Sequence, residues 1–145
     1  MDIYEILRND YSRIRDLIAS IEAEKSPVRS KELLAQLQKK LLPHMKAEEH
    51  VLYSSLIKRD PAFSDNVKIL HHEQVQIAHL LQQLQAMDIN RKWHILFTQL
   101  KSVVEIYIDR EQMEMFSVAQ SNFSQEEAEE LAHLFYKKIK GGSNA

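Results

Sequence analysis

The chain has 145 residues, a formal net charge of -2 at pH 7, two glycines, three prolines and no cysteine. This length fits one domain with a sizeable core, and the missing cysteine excludes disulfides, iron–sulfur ligation and thiol chemistry. The charge balance, without a basic stripe, argues against nucleic-acid binding through phosphate neutralisation.

The terminal segments and the overall composition indicate a cytoplasmic helical protein. The N-terminus lacks the basic start and apolar run of a signal peptide, and no apolar run is long enough to span a membrane. Few helix breakers and abundant Leu, Gln, Glu, Lys and Ala predict long helices joined by short connections. We expect one domain over residues 1–140 and a disordered tail over 141–145.

Apolar periodicity predicts four long amphipathic helices and a short fifth one. Asp2 is a candidate N-cap for the first helix, with Glu5 at capping-box spacing. Pro43 lies inside the second helix, where it predicts either a kink or a junction of two helices. Short connections place neighbouring helices antiparallel, so the expected fold is an all-α, up-down-up-down four-helix bundle with a short C-terminal fifth helix. The helices are expected at about 2–24, 30–59, 64–87, 91–121 and 124–140.

Polar side chains interrupt two of the apolar stripes. His44 and Glu48 are four residues apart in the second helix and therefore share one face, which is also its apolar face. Glu111 is a second acid in an apolar stripe, that of the fourth helix. Buried polar groups need partners, so these side chains require an internal hydrogen bond, water or a metal. An imidazole and a carboxylate facing the inside of a bundle are half of a bundle-type di-iron site.

The two halves of the chain form a weak internal repeat. His44 and Glu48 correspond to Tyr107 and Glu111, because each pair has the same four-residue spacing. In each half an aromatic residue follows nine positions after the first member of the pair. The other corresponding pairs are Tyr53 with Phe116 and Tyr11 with His71.

With this pattern the chain resembles the bacterial hemerythrin-like, HHE cation-binding family. The family pattern has one His on the first helix, His-x-x-x-Glu on the second, one His on the third and His-x-x-x-Glu on the fourth. The resemblance covers residues 6–140 and implies a di-iron centre in which two carboxylates bridge the irons. His72 is an alternative to His71 on the third helix. The implied metal ligands are His44, Glu48, His71, Glu111, Tyr11 and Tyr107.

Two positions depart from the family pattern, because Tyr11 and Tyr107 stand where the resemblance expects His. Phenolate can ligate ferric iron, but a neutral phenol has a pKa of about 10, so the metal must remove its proton. Alternatively, both tyrosines fill the space of a lost metal and their hydroxyls donate to Glu48 and Glu111. Both interpretations are open at the level of sequence.

Two functions follow from these interpretations. The first is a non-haem di-iron protein that binds or senses O2, NO or peroxide, or that holds iron. The second is a metal-free bundle acting as a structural or protein-interaction module. No motif indicates hydrolytic or group-transfer catalysis, and no nucleic-acid or membrane partner is expected. No feature of the sequence predicts an oligomeric state.

Overall fold

The computed structural model describes residues 1–143, which are helical almost throughout and contain no strand. The second and fourth long helices each contain a short π-helical stretch, here named the first π segment (Glu48–Tyr53) and the second π segment (Glu111–Met115). A 3-10 turn spans Pro61–Phe63. The α-helices are α1 Ile3–Ala23, α2 Pro27–Ala47, α3 Ser54–Arg59, α4 Ser64–Ala86, α5 Arg91–Arg110, α6 Phe116–Asn122 and α7 Gln125–Ser143.

Local capping chemistry explains where several helices begin. The Asp2 side chain accepts a hydrogen bond from the Glu5 amide at 3.0 Å, which confirms this N-cap. The second helix begins at Pro27, three residues before the expected start, because Ser26 caps it and proline is favoured in the first turn. Pro43 does not divide this helix, so the predicted junction of two helices is wrong.

The last helix begins with a capping box. The Ser124 hydroxyl accepts from the Glu127 amide at 3.1 Å, and the Glu127 carboxylate accepts from the Ser124 amide at 3.0 Å. The helix continues to Ser143, which is longer than expected. The expected disordered tail therefore overlaps this helix over residues 141–143, and residues 144–145 lie outside the described part of the chain.

Packing confirms the predicted all-α bundle. α1 packs against α2, and α4 packs against α5, while α7 lies over α1, α2 and the first π segment. The core is mostly aliphatic, and burying one Leu or Ile side chain stabilises the fold by about 1.5–3 kcal/mol. Among the residues whose burial the structure describes, seven polar side chains are also buried: Asp10, Ser30, His44, Glu48, Glu73, Gln74 and Glu111.

None of the helices in residues 1–143 is both long enough and apolar enough to cross a membrane.

Candidate functional site

Both buried acids of the predicted site begin a π segment. The Ser54 amide donates to the Glu49 carbonyl, and the Phe116 amide donates to the Glu111 carbonyl, which is the five-residue spacing of a π turn. In a regular α-helix a residue five positions on faces about 140° away. A π turn has hydrogen bonds between residues five apart and therefore takes more residues per revolution than an α turn, so it brings Tyr53 closer to the face that carries Glu48.

The carboxyl group of Glu111 accepts hydrogen bonds from two buried phenols. Tyr11 donates to Glu111 Oε2 at 2.6 Å, and Tyr53 donates to Glu111 Oε1 at 2.7 Å. Tyr11 comes from α1 and Tyr53 from the end of the first π segment. Both oxygens of this carboxyl group therefore have a donor from the first half of the chain.

The carboxyl group of Glu48 lies between a phenol and an imidazole. Tyr107 from α5 donates to Glu48 Oε1, and His44 Nε2 lies 2.8 Å from the same oxygen. His44 Nε2 and Glu48 Oε2 are nevertheless without a properly directed hydrogen bond. On its other side, His44 Nδ1 lies 2.8 Å from Asp10 Oδ2, and Asp10 Oδ1 lies 2.6 Å from Lys40 Nζ near the surface. Asp10 and Glu48 thus hold the imidazole ring from both sides.

Gln74 completes the site from α4. Its Nε2 atom donates to Tyr107 Oη at 3.2 Å and lies 3.4 Å from Tyr53 Oη and 3.3 Å from the Met45 carbonyl. The amide thereby links the phenol that serves Glu48 with a phenol that serves Glu111. We name the whole set the phenol–carboxyl cluster: Asp10, Tyr11, His44, Glu48, Tyr53, Gln74, Tyr107 and Glu111.

Burial favours the protonated forms of the two glutamates and the three tyrosines of this cluster. Loss of solvation raises the pKa of Glu48 to about 7. The same effect, together with the negative charge of Glu48, raises the pKa of Glu111 well above its usual range. Burial and the two nearby carboxyl groups also raise the pKa values of Tyr11, Tyr53 and Tyr107 well above 10. The phenols therefore act as hydrogen-bond donors at neutral pH.

Asp10 titrates in the opposite direction. Burial alone raises its pKa, but hydrogen bonds and charge interactions with His44 and Lys40 together outweigh burial, and the net pKa is below 3.8. Asp10 is therefore a carboxylate at neutral pH. A carboxylate beside Nδ1 favours the tautomer of His44 that carries its proton on that nitrogen.

The structure brings five predicted site residues together and leaves out the sixth. Tyr11, His44, Glu48, Tyr107 and Glu111 all lie in the cluster and are fully buried. The sixth predicted ligand, His71 of the third long helix, does not lie in the cluster.

His71 lies at the surface, where its imidazole contacts Glu49, and its side chain is 54% exposed. His72 is exposed as well. The structure therefore brings neither histidine into the cluster. Each helical residue rotates the side chain by about 100°, and the inward face of α4 passes through Leu70, Gln74 and Ile77 instead.

Three cluster residues were absent from the predicted ligand set. Gln74 could have been found by periodicity, because it stands between Leu70 and Ile77 on the inward face of α4. Asp10 is adjacent to Tyr11 on the inward stripe of α1. Tyr53 was recognised only as an aromatic position of the repeat, since α-helical spacing does not place it beside Glu48.

The buried polar groups of this bundle can be compared with those of known protein families. A helical bundle that buries two carboxyl groups from facing helices beside an imidazole belongs to the class of bundles built around a polar central site. The family described as Hemerythrin HHE cation binding domain matches residues 2–119. The chain belongs to this family, as the resemblance in its sequence predicted.

One curated relative is a DNA nickase from Nostoc sp. (strain PCC 7120 / SAG 25.82 / UTEX 2576), with 26% identity over 136 residues. The alignment covers 93% of this chain but 38% of the nickase, so the chain spans well under half of that relative. No solved structure matches the chain.

The donor set does not fit the imidazole-rich di-iron centre that the resemblance implies. His44 is the single imidazole in the cluster, and phenols donate to both oxygens of Glu111 and to one oxygen of Glu48. Within residues 1–143, no group of three or more His, Cys, Asp or Glu side chains is arranged to hold a metal ion. A pair of irons would find one imidazole here, and phenols that hold their protons in place of the other histidines, so we derive no chemistry through iron.

Proposed function

We propose that this chain is a hemerythrin-family bundle whose centre is held together by phenol–carboxyl hydrogen bonds instead of two irons, and that it acts as a structural or protein-interaction module. The observation that carries this proposal is the donation of three buried tyrosine hydroxyls to the two central carboxyl groups. In this proposal Tyr11 and Tyr107 replace histidines of the family pattern. Their hydroxyl hydrogens supply the positive partners that bridging carboxylates otherwise find in a metal.

The free energy of proton removal supports this proposal. A phenol with the reference pKa of about 10 costs roughly 4 kcal/mol to deprotonate at pH 7. The pKa values of Tyr11 and Tyr107 lie well above that reference, because both side chains are buried beside acids. A cation that used these two residues as phenolates would have to offset this cost twice.

The length of the relative supports a modular role. The region of the Nostoc DNA nickase that aligns with this chain is 38% of that protein, so a similar bundle is one segment of a longer polypeptide there. A bundle that works beside another domain or subunit needs a stable core and a suitable surface, and it does not need a reactive centre. We do not carry the nicking of DNA over to this chain.

A second candidate is a site for iron that binds or senses O2, NO or peroxide, or that holds iron. It is favoured by His44 Nε2 and Glu48 Oε2, two neighbouring buried atoms that are without a directed hydrogen bond. Buried polar atoms without a hydrogen-bond partner are uncommon in folded proteins and need an explanation. In this candidate His44, Glu48 and Glu111 hold the cation, and the nearby phenols favour the ferric state.

Metal analysis separates the two candidates. The protein is made in iron-supplemented cells, its metal content is measured by mass spectrometry, and an optical spectrum is recorded before and after anaerobic addition of ferrous iron. We expect no stoichiometric iron and no visible absorption. One or two irons per chain would contradict the first candidate, and a purple or blue colour would identify tyrosinate ligands. In that case Glu48→Ala should remove the metal.

A further inference from the structure

Two cluster residues outside the predicted ligand set, Gln74 and Tyr53, contact predicted ligands: Gln74 contacts Tyr107 and Tyr53 contacts Glu111. Gln74 is the one polar side chain that α4 turns into the cluster, and Tyr53 reaches it because of the first π segment. Both are at most 5% exposed. We propose, as a consequence of the proposed function, that Gln74 and Tyr53 exclude divalent cations from the centre of this bundle.

Gln74 presents an amide nitrogen where a cation would need a lone pair. An amide NH2 group carries two donor hydrogens and no free electron pair. Its nitrogen lies 3.2 Å from Tyr107 Oη and 3.4 Å from Tyr53 Oη, so its hydrogens point into the cluster. This end of the amide dipole is positive and repels a cation, whereas an imidazole at the same position would offer a ligand atom.

Tyr53 competes with a cation for a carboxylate oxygen. Its hydroxyl donates to Glu111 Oε1 at 2.7 Å, while Tyr11 already donates to Oε2. Glu111 therefore has no oxygen without a phenol donor, although Glu48 retains one in Oε2. Without the Tyr53 hydroxyl, Glu111 Oε1 would be released for a cation held jointly with His44 and Glu48.

The second half of the chain offers a natural comparison for Tyr53. Phe116 follows Glu111 by the same five residues but has no hydroxyl, and its ring packs against Tyr4, Tyr11 and the Arg8 guanidinium. An aromatic ring at this place thus fills the bundle without a hydrogen bond. The hydroxyl of Tyr53 is therefore an addition to a position that a phenyl ring can fill, and Tyr53→Phe should preserve the packing.

The test replaces both Gln74 and Tyr53 in order to create a metal-binding site. The double variant Gln74→His with Tyr53→Phe should place two imidazoles beside two carboxylates, a donor set suited to first-row divalent metals. Cobalt(II) is the probe, because bound cobalt reports its ligands through visible absorption. We expect about one cobalt per chain in the double variant, no stoichiometric cobalt in the wild type, and loss of binding in the matched control Gln74→Leu with Tyr53→Phe.

The possible outcomes separate this inference from the proposed function. Stoichiometric cobalt or iron in the wild-type protein would overturn both. A metal-free wild type with a folded double variant that takes up no cobalt would overturn only the roles of Gln74 and Tyr53. Equal binding by the Gln74→Leu control would overturn the role given to position 74. If the double variant does not fold, cobalt binding is measured for the single variants Gln74→His and Tyr53→Phe instead. The inference would be overturned if both single variants fold and neither binds more cobalt than the wild type.

Discussion

The two halves of the bundle use the same backbone device around different side chains. In each half a long helix changes from α to π geometry at a buried glutamate, Glu48 in the first half and Glu111 in the second. The residue four positions earlier is His44 in one half and Tyr107 in the other. The repeated backbone positions the two acids, and the side chains around them decide what the acids can bind.

Each half also satisfies the acid of the other half. Glu111 of the second half accepts from Tyr11 and Tyr53 of the first, while Glu48 of the first half accepts from Tyr107 of the second. The cluster therefore ties the two halves together, and it does so unequally, because Glu111 has two phenol donors and Glu48 has one. Substitutions in the cluster should therefore differ in how much they lower the free energy of unfolding.

Removing the more heavily bonded acid should have the largest effect. Glu111→Ala leaves the hydroxyls of Tyr11 and Tyr53 buried without an acceptor and opens a cavity, so we expect the free energy of unfolding to fall by about 3–5 kcal/mol. Urea unfolding monitored by circular dichroism measures this change in the free energy of unfolding. Glu114→Ala in the same π segment is the control, since Glu114 is paired with Arg110 nearer the surface. A loss for Glu111→Ala no larger than for the control would contradict the cluster.

The free energy of unfolding should depend on pH because Glu48 has a raised pKa in the folded protein. Its pKa is about 7 in the folded protein against 4.5 ordinarily, so the folded state binds this proton more tightly than the unfolded state. The stabilisation is complete below pH 4.5 and is lost as the pH rises through about 7. It amounts to roughly 3 kcal/mol.

Glu48→Gln tests this assignment, because glutamine does not titrate. The stability of the wild type relative to the variant should decline across this pH range, as measured by urea unfolding at a series of pH values. Glu49→Gln, at the neighbouring surface position beside His71, is the control. A difference between wild type and Glu48→Gln that stays constant with pH would show that Glu48 does not titrate with a raised pKa.

Loss of one phenol hydroxyl should have an intermediate effect. Tyr53→Phe removes one of the two donors to Glu111 but keeps the ring, as Phe116 does in the second half. We expect a destabilisation of about 1–3 kcal/mol in thermal or urea unfolding. Tyr136→Phe is the matched control, because Tyr136 is 55% exposed. Equal effects of the two substitutions would mean that the Tyr53 hydrogen bond adds nothing.

The smallest effect should come from the histidine that the site excludes. His71 pairs with Glu49 at the surface, and exposed ion pairs contribute little. His71→Ala should therefore change the free energy of unfolding by less than about 0.5 kcal/mol. Gln74→Ala, three residues further along α4, should cost more because it leaves buried groups without partners. The reverse order would return His71 to the site.

Much of the fold could be predicted because helix formation is read from local signals. Apolar spacing set the helices, and the predicted N-cap at Asp2 is present in the structure with its bond to the Glu5 amide. The site was predicted less completely. The sequence analysis weighed His71 and His72 for the third long helix, and both are exposed in the structure, whereas Gln74 is the residue of α4 that lies in the cluster.

The sequence by itself determined the helical bundle, the family and the placement of His44, Glu48 and Glu111 on inward faces, since these depend on periodicity within single helices. Only the tertiary structure decided which groups meet in the centre. The first π segment turns Tyr53 toward Glu48 and Glu111, and phenols donate hydrogen bonds from one half of the bundle to the other. Both features depend on the packing of all the helices together. A regular helical period contains no information about such contacts, because they form between residues up to 100 positions apart.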